Sequence, residues 1–284
     1  MSKTKIIVTG GGGFIGSNLI NYLLKDHSID NIISLDKDPR IKNNDIYLDV
    51  KDISKLKIQP DIIYHLAAQS RVQPSFDDPI TSTEDNVMGT LAVLEYAKNN
   101  KCKVVYAGSA SRHFDHSSSP YATTKYMGET LCKMYRKCFD VDVEIARFYN
   151  VYGPNEYLHP TEGNVIGIWR YNIENNKKCE VVGDGEQERD FIHVQDVVEG
   201  LVAIGEGISS HEDAWELGTG KATKINDLAA MFHENFGTTF EWIPDKKGNP
   251  RKSVLVNSDA YERLAWQPKR NLIDYIIEIS NKTN

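Results

Sequence analysis

Three features of the sequence predict a doubly wound parallel α/β sheet followed by a smaller C-terminal α/β domain. The first is a glycine turn, Thr9-Gly10-Gly11-Gly12-Gly13-Phe14-Ile15-Gly16-Ser17. It sits between the apolar run Lys5-Ile6-Ile7-Val8 and the apolar-periodic stretch Phe14, Ile15, Leu19, Ile20, Leu23, Leu24. The second is Asp36, which ends the next apolar run, Asn31-Ile32-Ile33-Ser34-Leu35, twenty residues beyond Gly16. The third is the alternation of short apolar runs with helical periodicities through the first half of the chain, the pattern of a parallel sheet covered on both faces. A glycine frame between a strand and a helix is the context in which a dinucleotide binds, so the sheet is expected to be of Rossmann type.

Each part of the turn has a physical reason. Side chains at Gly10, Gly13 or Gly16 would block the turn, the approach of a pyrophosphate, or helix–strand packing. The helix that opens at Phe14 and Ile15 offers unpaired N–H groups and a positive dipole end to phosphates. Asp36 stands where a carboxylate accepts the adenosine ribose hydroxyls, and its charge repels a 2′-phosphate. NAD is therefore expected over NADP, against the pull of the neighbouring cation Lys37.

The remaining elements follow in order. Asp45–Asp49 reads as a third strand and Asp61–Leu66 as a fourth, running into Ala67-Ala68. A long helix is expected over Ser82–Lys98, with Val87, Leu91, Leu94 and Tyr96 at helical spacing. Lys103–Ala107 is the fifth strand, Tyr121–Cys138 a helix opened by Pro120, and Val143–Phe148 the sixth strand. After Tyr152-Gly153-Pro154 the alternation breaks down into Val165–Glu174 (helix), Cys179–Val182 (strand), Arg189–Val194 (strand), Asn226–Phe236 (helix), Phe240–Ile243 and Val254–Val256 (short strands). Residues 1–152 are read as an NAD-binding domain and 153–284 as a substrate domain that closes the crevice, with 189–205 able to return to the first.

Composition narrows the class. The 284 residues carry a net charge of −7, which argues against nucleic acid as a partner. No apolar run approaches the roughly 20 residues that span a bilayer, and no signal pattern opens the chain, so a cytoplasmic protein is expected. Cys102, Cys132, Cys138 and Cys179 lack C-x-x-C spacing and read as reduced packing residues. His113 and His116 have metal-like spacing without an obvious third ligand and read as loop surface, so no metal is expected. His65, flanked by apolar residues at a strand end, reads as a core histidine, and the scattered tryptophans as packing.

The chemistry concentrates in Tyr121-Ala122-Thr123-Thr124-Lys125. Residues i and i+4 share a helix face, so the phenol and the ammonium point the same way. A tyrosine pKa of about 10 must fall by about 3 units for work as a base near neutrality, roughly 4 kcal/mol of preference for the phenolate. Lys125 and the nicotinamide charge of NAD⁺ can supply it. Ser109, at the carboxyl end of the fifth strand, lies where ligands bind in such sheets and can hold the substrate oxygen.

With these residues in view, the sequence resembles the extended short-chain dehydrogenases/reductases of the nucleotide-sugar epimerase/dehydratase family, in their UDP-glucose 4-epimerase-like pattern. The resemblance runs through Thr9–Gly16, Asp36, Asp49-Val50, His65–Ala68, Asn86–Thr90, Ser109 with Tyr121 and Lys125, Arg147–Pro154, Gly183–Val194 and Lys247-Gly248-Asn249. It implies that Asp49 and Val50 flank the adenine, that Leu66, Ala67, Ala68 and Asn86 line the NAD groove, and that Phe148 lies near the nicotinamide. It places Asn150, Asn164 and Arg189 on the nucleotide diphosphate. Arg189 has a physical reason too, since a guanidinium grips phosphate bidentately; its bland alternative is a solvated partner of Asp184 or Glu186. Lys246 stands where the family has the arginine of R-x-G-D, and Ser253 falls near the position that gates sugar size. A small residue there, with only twelve residues from Ser109 to Tyr121, implies space for a 2-acetamido group.

Two departures carry weight. Gly108 replaces a small hydroxyl residue, and Ala110-Ser111 stands where 4,6-dehydratases carry Asp-Glu and decarboxylases a Glu. The reading is therefore NAD-dependent 4-epimerisation of a UDP-hexose or UDP-N-acetylhexosamine. A reductase or dehydrogenase with net cofactor turnover and a non-catalytic NAD sensor are the rivals. Met127, Leu131, Met134 and Tyr135 exceed the sheet-facing stripe of their helix, and with the family's pairing of two helices per subunit they imply a homodimer.

Overall fold

The computed structural model describes residues 4–38, 45–161, 163–255 and 258–283. The chain runs β1 (Ile6–Thr9), α1 (Phe14–Leu23), β2 (Ile32–Asp36), β3 (Asp45–Tyr47), β4 (Ile62–His65), α2 (Val72–Asp77), α3 (Pro79–Thr83), α4 (Gly89–Asn100), β5 (Lys103–Ser109), α5 (Pro120–Phe139) and β6 (Val143–Phe148). It continues as β7 (Asn150–Tyr152), α6 (Val165–Glu174), β8 (Cys179–Val182), β9 (Glu188–His193), α7 (Val194–Glu206), β10 (Trp215–Leu217), β11 (Ala222–Lys224), α8 (Ile225–Phe236), β12 (Phe240–Ile243), β13 (Lys252–Ser253), α9 (Ala260–Arg263) and α10 (Leu272–Thr283).

The central sheet has seven strands in the order β10-β6-β5-β4-β1-β2-β3, all parallel. Its inner strands β1, β4, β5 and β6 are buried on both faces, as a parallel sheet between helices requires. Ile6, Val8, Leu19, Leu23, Val197 and Leu201 form the core under α1 and α7. Ile7, Leu35, Ile63, Val93, Leu94 and Cys132 form the core under α4 and α5. The chain crosses over from β3 to β4, so strand order reverses between the neighbours β1 and β4, the point at which such sheets open a ligand crevice.

The chain beyond residue 152 serves both layers. Helix α7 packs its buried face on the central sheet, and β10 pairs with β6 from Trp215↔Ala146 to Leu217↔Phe148. The rest builds a second layer, with β9 between β11 and β13, β7 also on β9, and β8 paired with β12. Its own core joins Trp169, Phe191, Leu228, Phe232 and Ile276.

Some local expectations need correction. The long helix begins at Pro79, and its residues Glu84–Met88 wind as a single π-helical turn before α4. Such a turn inserts a residue and redirects side chains, and it often marks a functional site. The last strand forms at Lys252–Ser253 rather than over Val254–Val256; Val254 and Leu255 lie outside it, and Val256 lies outside the described residues.

Candidate active site

A cleft of about 1640 Å³ opens between the carboxyl ends of the central strands and the second layer. That exceeds the roughly 300–1,000 Å³ of a pocket for one drug-sized ligand, leaving space for two extended ones. Its cofactor end is built by the glycine turn. Gly10 has φ +71°, and a Cβ there would lie 2.7 Å from the Ala67 backbone nitrogen. A Cβ on Gly16 would meet the Gly10 carbonyl oxygen at 2.1 Å. Gly13, the N-cap of α1, has no side-chain cap, so the first N–H groups of the helix face the cleft beside Phe14 and Ile15.

Asp36 lines the same end, its carboxylate held by the N–H groups of Gly12 and Asp38 at 3.0 Å each. Lys37 is not free to offset that charge. Its ammonium donates to both oxygens of Asp85, on the π-turn, at 2.7 Å. Asp49, Val50, Leu66, Ala67, Ala68 and Phe148 also line the cleft. Asn86 does not. Only 1% exposed, it donates to the Gln69 carbonyl and Thr124 Oγ1 and accepts from the Gln69 N–H. It ties the segment after β4, which lines the groove at Leu66–Ala68, to α5.

Ser109, Tyr121 and Lys125 meet in the middle of the cleft. Ser119 caps α5 by accepting the Ala122 N–H, and Ser75 Oγ accepts that of Tyr121 at 3.0 Å, which fixes the start of the helix. The Tyr121 phenol donates to Ser109 Oγ at 3.3 Å. Lys125, one turn on, is buried and donates to the Ala107 carbonyl. Burial pushes its ammonium down to about 8, with Glu129 pulling the other way. Burial also raises the Tyr121 phenol, opposed by the Ser109 hydrogen bond and the positive charge of Arg71.

Beneath this trio lies a charge cluster that sequence reasoning missed. Arg147 is 2% exposed and bonds Glu129 at 2.7 Å, Asp213 at 2.8 Å and Glu216 at 2.9 Å. Glu129 also accepts the Ser109 N–H at 3.4 Å. The cluster explains Gly108: a Cβ there would come within 2.8 Å of the Glu129 carboxylate. His113 donates its Nε2–H to Glu216 at 2.8 Å, anchoring the short loop after Ser109, and His116 stacks on Tyr126. His65 is a core histidine, bonded by Thr9 and Thr90, and burial lowers it to about 3. Among the described residues no group of three metal-ligating side chains occurs.

The far end of the cleft holds the other expected residues. Asn150, Asn164, Arg189, Lys246 and Ser253 all line it. Asn150 spends its amide on the Asp190 carbonyl, and Asn164, the N-cap of α6, donates to Val151. Arg189 is buried, bonds Asn249, and is lowered to about 10 by burial. Its solvated alternative is excluded, because Asp184 pairs with Arg251 and Glu186 with Lys224. Ser253 is buried opposite Arg189 in the β13–β9 register, and Gln73 holds the Lys247 carbonyl at 2.9 Å, so the 246–250 loop is tied to α2.

The NAD dependent epimerase/dehydratase family model matches residues 6–218. The chain belongs to that family. It is 32% identical to a UDP-glucose 4-epimerase of Mycolicibacterium smegmatis over 96% of each chain. It is 30% identical to UDP-glucuronic acid decarboxylase 1 of Arabidopsis thaliana, over 95% of this chain and 67% of that one. The crystal structure of a Thermotoga maritima UDP-glucose 4-epimerase with UDP-glucose superposes with a TM-score of 0.88 at 25% identity, covering 98% of each. NAD is the cofactor of this epimerase/dehydratase family member. The turn fits it, since backbone already fills the space of a side chain at Gly10 and Gly16, and α1 starts at Gly13 with no side-chain cap, so its first N–H groups are left for a phosphate.

Proposed function

We propose that the protein interconverts the C4 epimers of a UDP-hexose, and of a UDP-N-acetylhexosamine, through a transient 4-keto sugar. The observation that carries this is the Tyr121–Ser109 hydrogen bond beside a buried lysine, in a cleft whose Ala110-Ser111 offers no carboxylate at the place that dehydratases and decarboxylases need one. Bound NAD would supply a reversible hydride acceptor for C4, reached from either face of the sugar. Ser109 orients the C4 hydroxyl, and Tyr121 removes its proton and later gives it back. Lys125 holds positive charge next to the phenol. Arg189 and Asn164 hold the diphosphate, about which the ketone turns. A panel of nucleotide sugars followed by NMR should give C4 inversion without stoichiometric change at 340 nm. Net NADH production would favour the dehydrogenase reading, and NAD binding without any conversion the sensor.

Cofactor choice follows the carboxylates around the ribose. Asp36→Ala should weaken NAD more than NADP, measured by titration of the protein stripped of cofactor. NADP bound by the native protein as tightly as NAD would refute the assignment.

Ser253 supports the acetamido sugar, being small and buried beside Arg189 on the neighbouring strand of the same wall. Ser253→Tyr should abolish turnover of UDP-N-acetylhexosamines and spare UDP-glucose; equal loss of both would assign the residue to the fold.

The quaternary proposal is a homodimer. Met127 and Met88 are 42% and 50% exposed, and Leu131 and Met134 are partly buried, whereas Tyr135 is consumed by the subunit core. Sedimentation at micromolar concentration should give a dimer; a monomer would count against the α4–α5 face as an interface. No helix among the described residues is long and apolar enough to cross a membrane. With four unpaired cysteines, a cytoplasmic enzyme is the reading we favour.

A further inference from the structure

Lys37 is the feature of the cofactor end that pulls against NAD, since a cation just after the ribose-binding carboxylate is where a 2′-phosphate finds its partner. The structure shows how that cation is occupied. Lys37 and Asp85 both line the cleft, at the end that Asp36, Asp49 and Val50 also line. The Lys37 ammonium donates to Asp85 Oδ1 and Oδ2 at 2.7 Å each, across 48 residues of sequence. The lysine side chain is 50% exposed but the carboxylate only 13%. A carboxylate so withdrawn from water holds an ammonium more firmly than an open surface pair does.

Asp85 is presented from a fixed base. It stands on the π-helical turn Glu84–Met88, next to Asn86, whose amide is bonded to the Gln69 backbone and to Thr124. Its other neighbour, Glu84, accepts from Lys51 at 3.3 Å, so the two acidic residues of the turn serve different lysines. The oxygens of Asp36 accept from the N–H groups of Gly12 and Asp38. Lys37 is therefore paired with the turn and not with the carboxylate beside it in the chain.

We propose that Asp85 is a second determinant of cofactor choice, a positioning residue that commits Lys37 to itself and so leaves a 2′-phosphate without a cation. The inference rests on the reading that puts the adenosine ribose at Asp36, and is independent of the sugar that is turned over. Exclusion of NADP then has two parts. Asp36 repels the phosphate, and Asp85 withholds the charge that could compensate. NAD carries a hydroxyl in place of that phosphate and is indifferent to the second part. Removing the Asp85 charge therefore changes the preference between cofactors while the NAD site stays as it was.

The test titrates the full-length protein, freed of cofactor, with NAD and NADP side by side by calorimetry at low salt, where screening is weak. Asp85→Asn keeps the size of the side chain. It should raise NADP affinity at least about fivefold, less than a whole charge-assisted bond because Asp36 still repels the phosphate, and leave NAD within about twofold. A purely structural role would move both cofactors together. Adding Lys37→Gln to Asp85→Asn should return NADP to the wild-type value, because the pair is then again without net charge. A gain that survives in the double variant would show that Lys37 is not the cation withheld, and would overturn the proposal. So would the absence of a gain in the single variant, or an equal change for both cofactors, which would assign Asp85 to the shape of the turn. Native protein that binds NADP as tightly as NAD would remove the Asp36 reading first, and the inference with it.

Discussion

Replacing Tyr121 by phenylalanine should lower turnover at least about 10²-fold, the scale of a lost acid–base group, which is about 2.7 kcal/mol on the barrier. NAD and UDP-sugar affinities should hold within about twofold, because the ring keeps its packing. The argument rests on what else could do the work. Ser109 Oγ keeps its Ser111 partners at 2.9 and 3.2 Å, so the substrate oxygen would still be oriented after the phenol is gone. Lys125 is buried and committed to the Ala107 carbonyl. His65 is locked between two threonines and is lowered to about 3, too weak a base to substitute. Burial raises the phenol, so the unliganded site is not poised; the cations around it, Arg71 on this chain among them, must favour the phenolate when substrate is present. Turnover within a few-fold of wild type would move the base to another residue.

What could be read from the sequence was what local spacing encodes. The glycine frame, Asp36 and the Tyr121–Lys125 pair act within one turn or one strand–helix unit, and the first six strands of the central sheet announce themselves as short apolar runs. The second half was harder because its partners are remote. Strand β10 is three residues long and has meaning only as the neighbour of β6. Helix α7 was legible only as a segment able to return to the first domain. Arg71 meets Asn164 93 residues on, and Arg189 meets Asn249 after 60. No periodicity links such pairs. Gly108 shows the intermediate case. It stood out as a departure from the family, but its reason, the Glu129 carboxylate occupying its side-chain space, required the helix α5 to be laid against β5. The partners of Asn86 were not legible either, because the π-turn that directs its amide to Gln69 and Thr124 has no signature in the spacing.

The largest loss of stability is expected from Arg147→Met. The guanidinium is the shared partner of Glu129, Glu216 and Asp213, two of which are well buried with side chains 2% and 12% exposed. Removing one partner of a buried ionic group costs about 3–5 kcal/mol, because the remaining charges are left uncompensated. The pH dependence separates this from a loss of packing. In the wild type, burial works to raise Glu216 and Asp213. Hydrogen bonds from His113 and Arg147 on the first, and from Arg147 and Lys133 on the second, overcome it and hold both below the ordinary carboxylate range. A depressed folded-state pKa gives stability that is present above the unfolded value, about 4, and lost as pH falls through the folded one. Without Arg147 the buried carboxylates lose their main counter-charge, and protonation relieves their repulsion. The stability gap between variant and wild type should therefore be widest near pH 7 and narrow toward pH 5, measured by urea unfolding at both. Activity should fall with it, since Glu129 would no longer be held under the Ser109 N–H. A gap below about 1 kcal/mol, the scale of an exposed ion pair, or one that does not change with pH, would show that the cluster is not what holds the floor of the site.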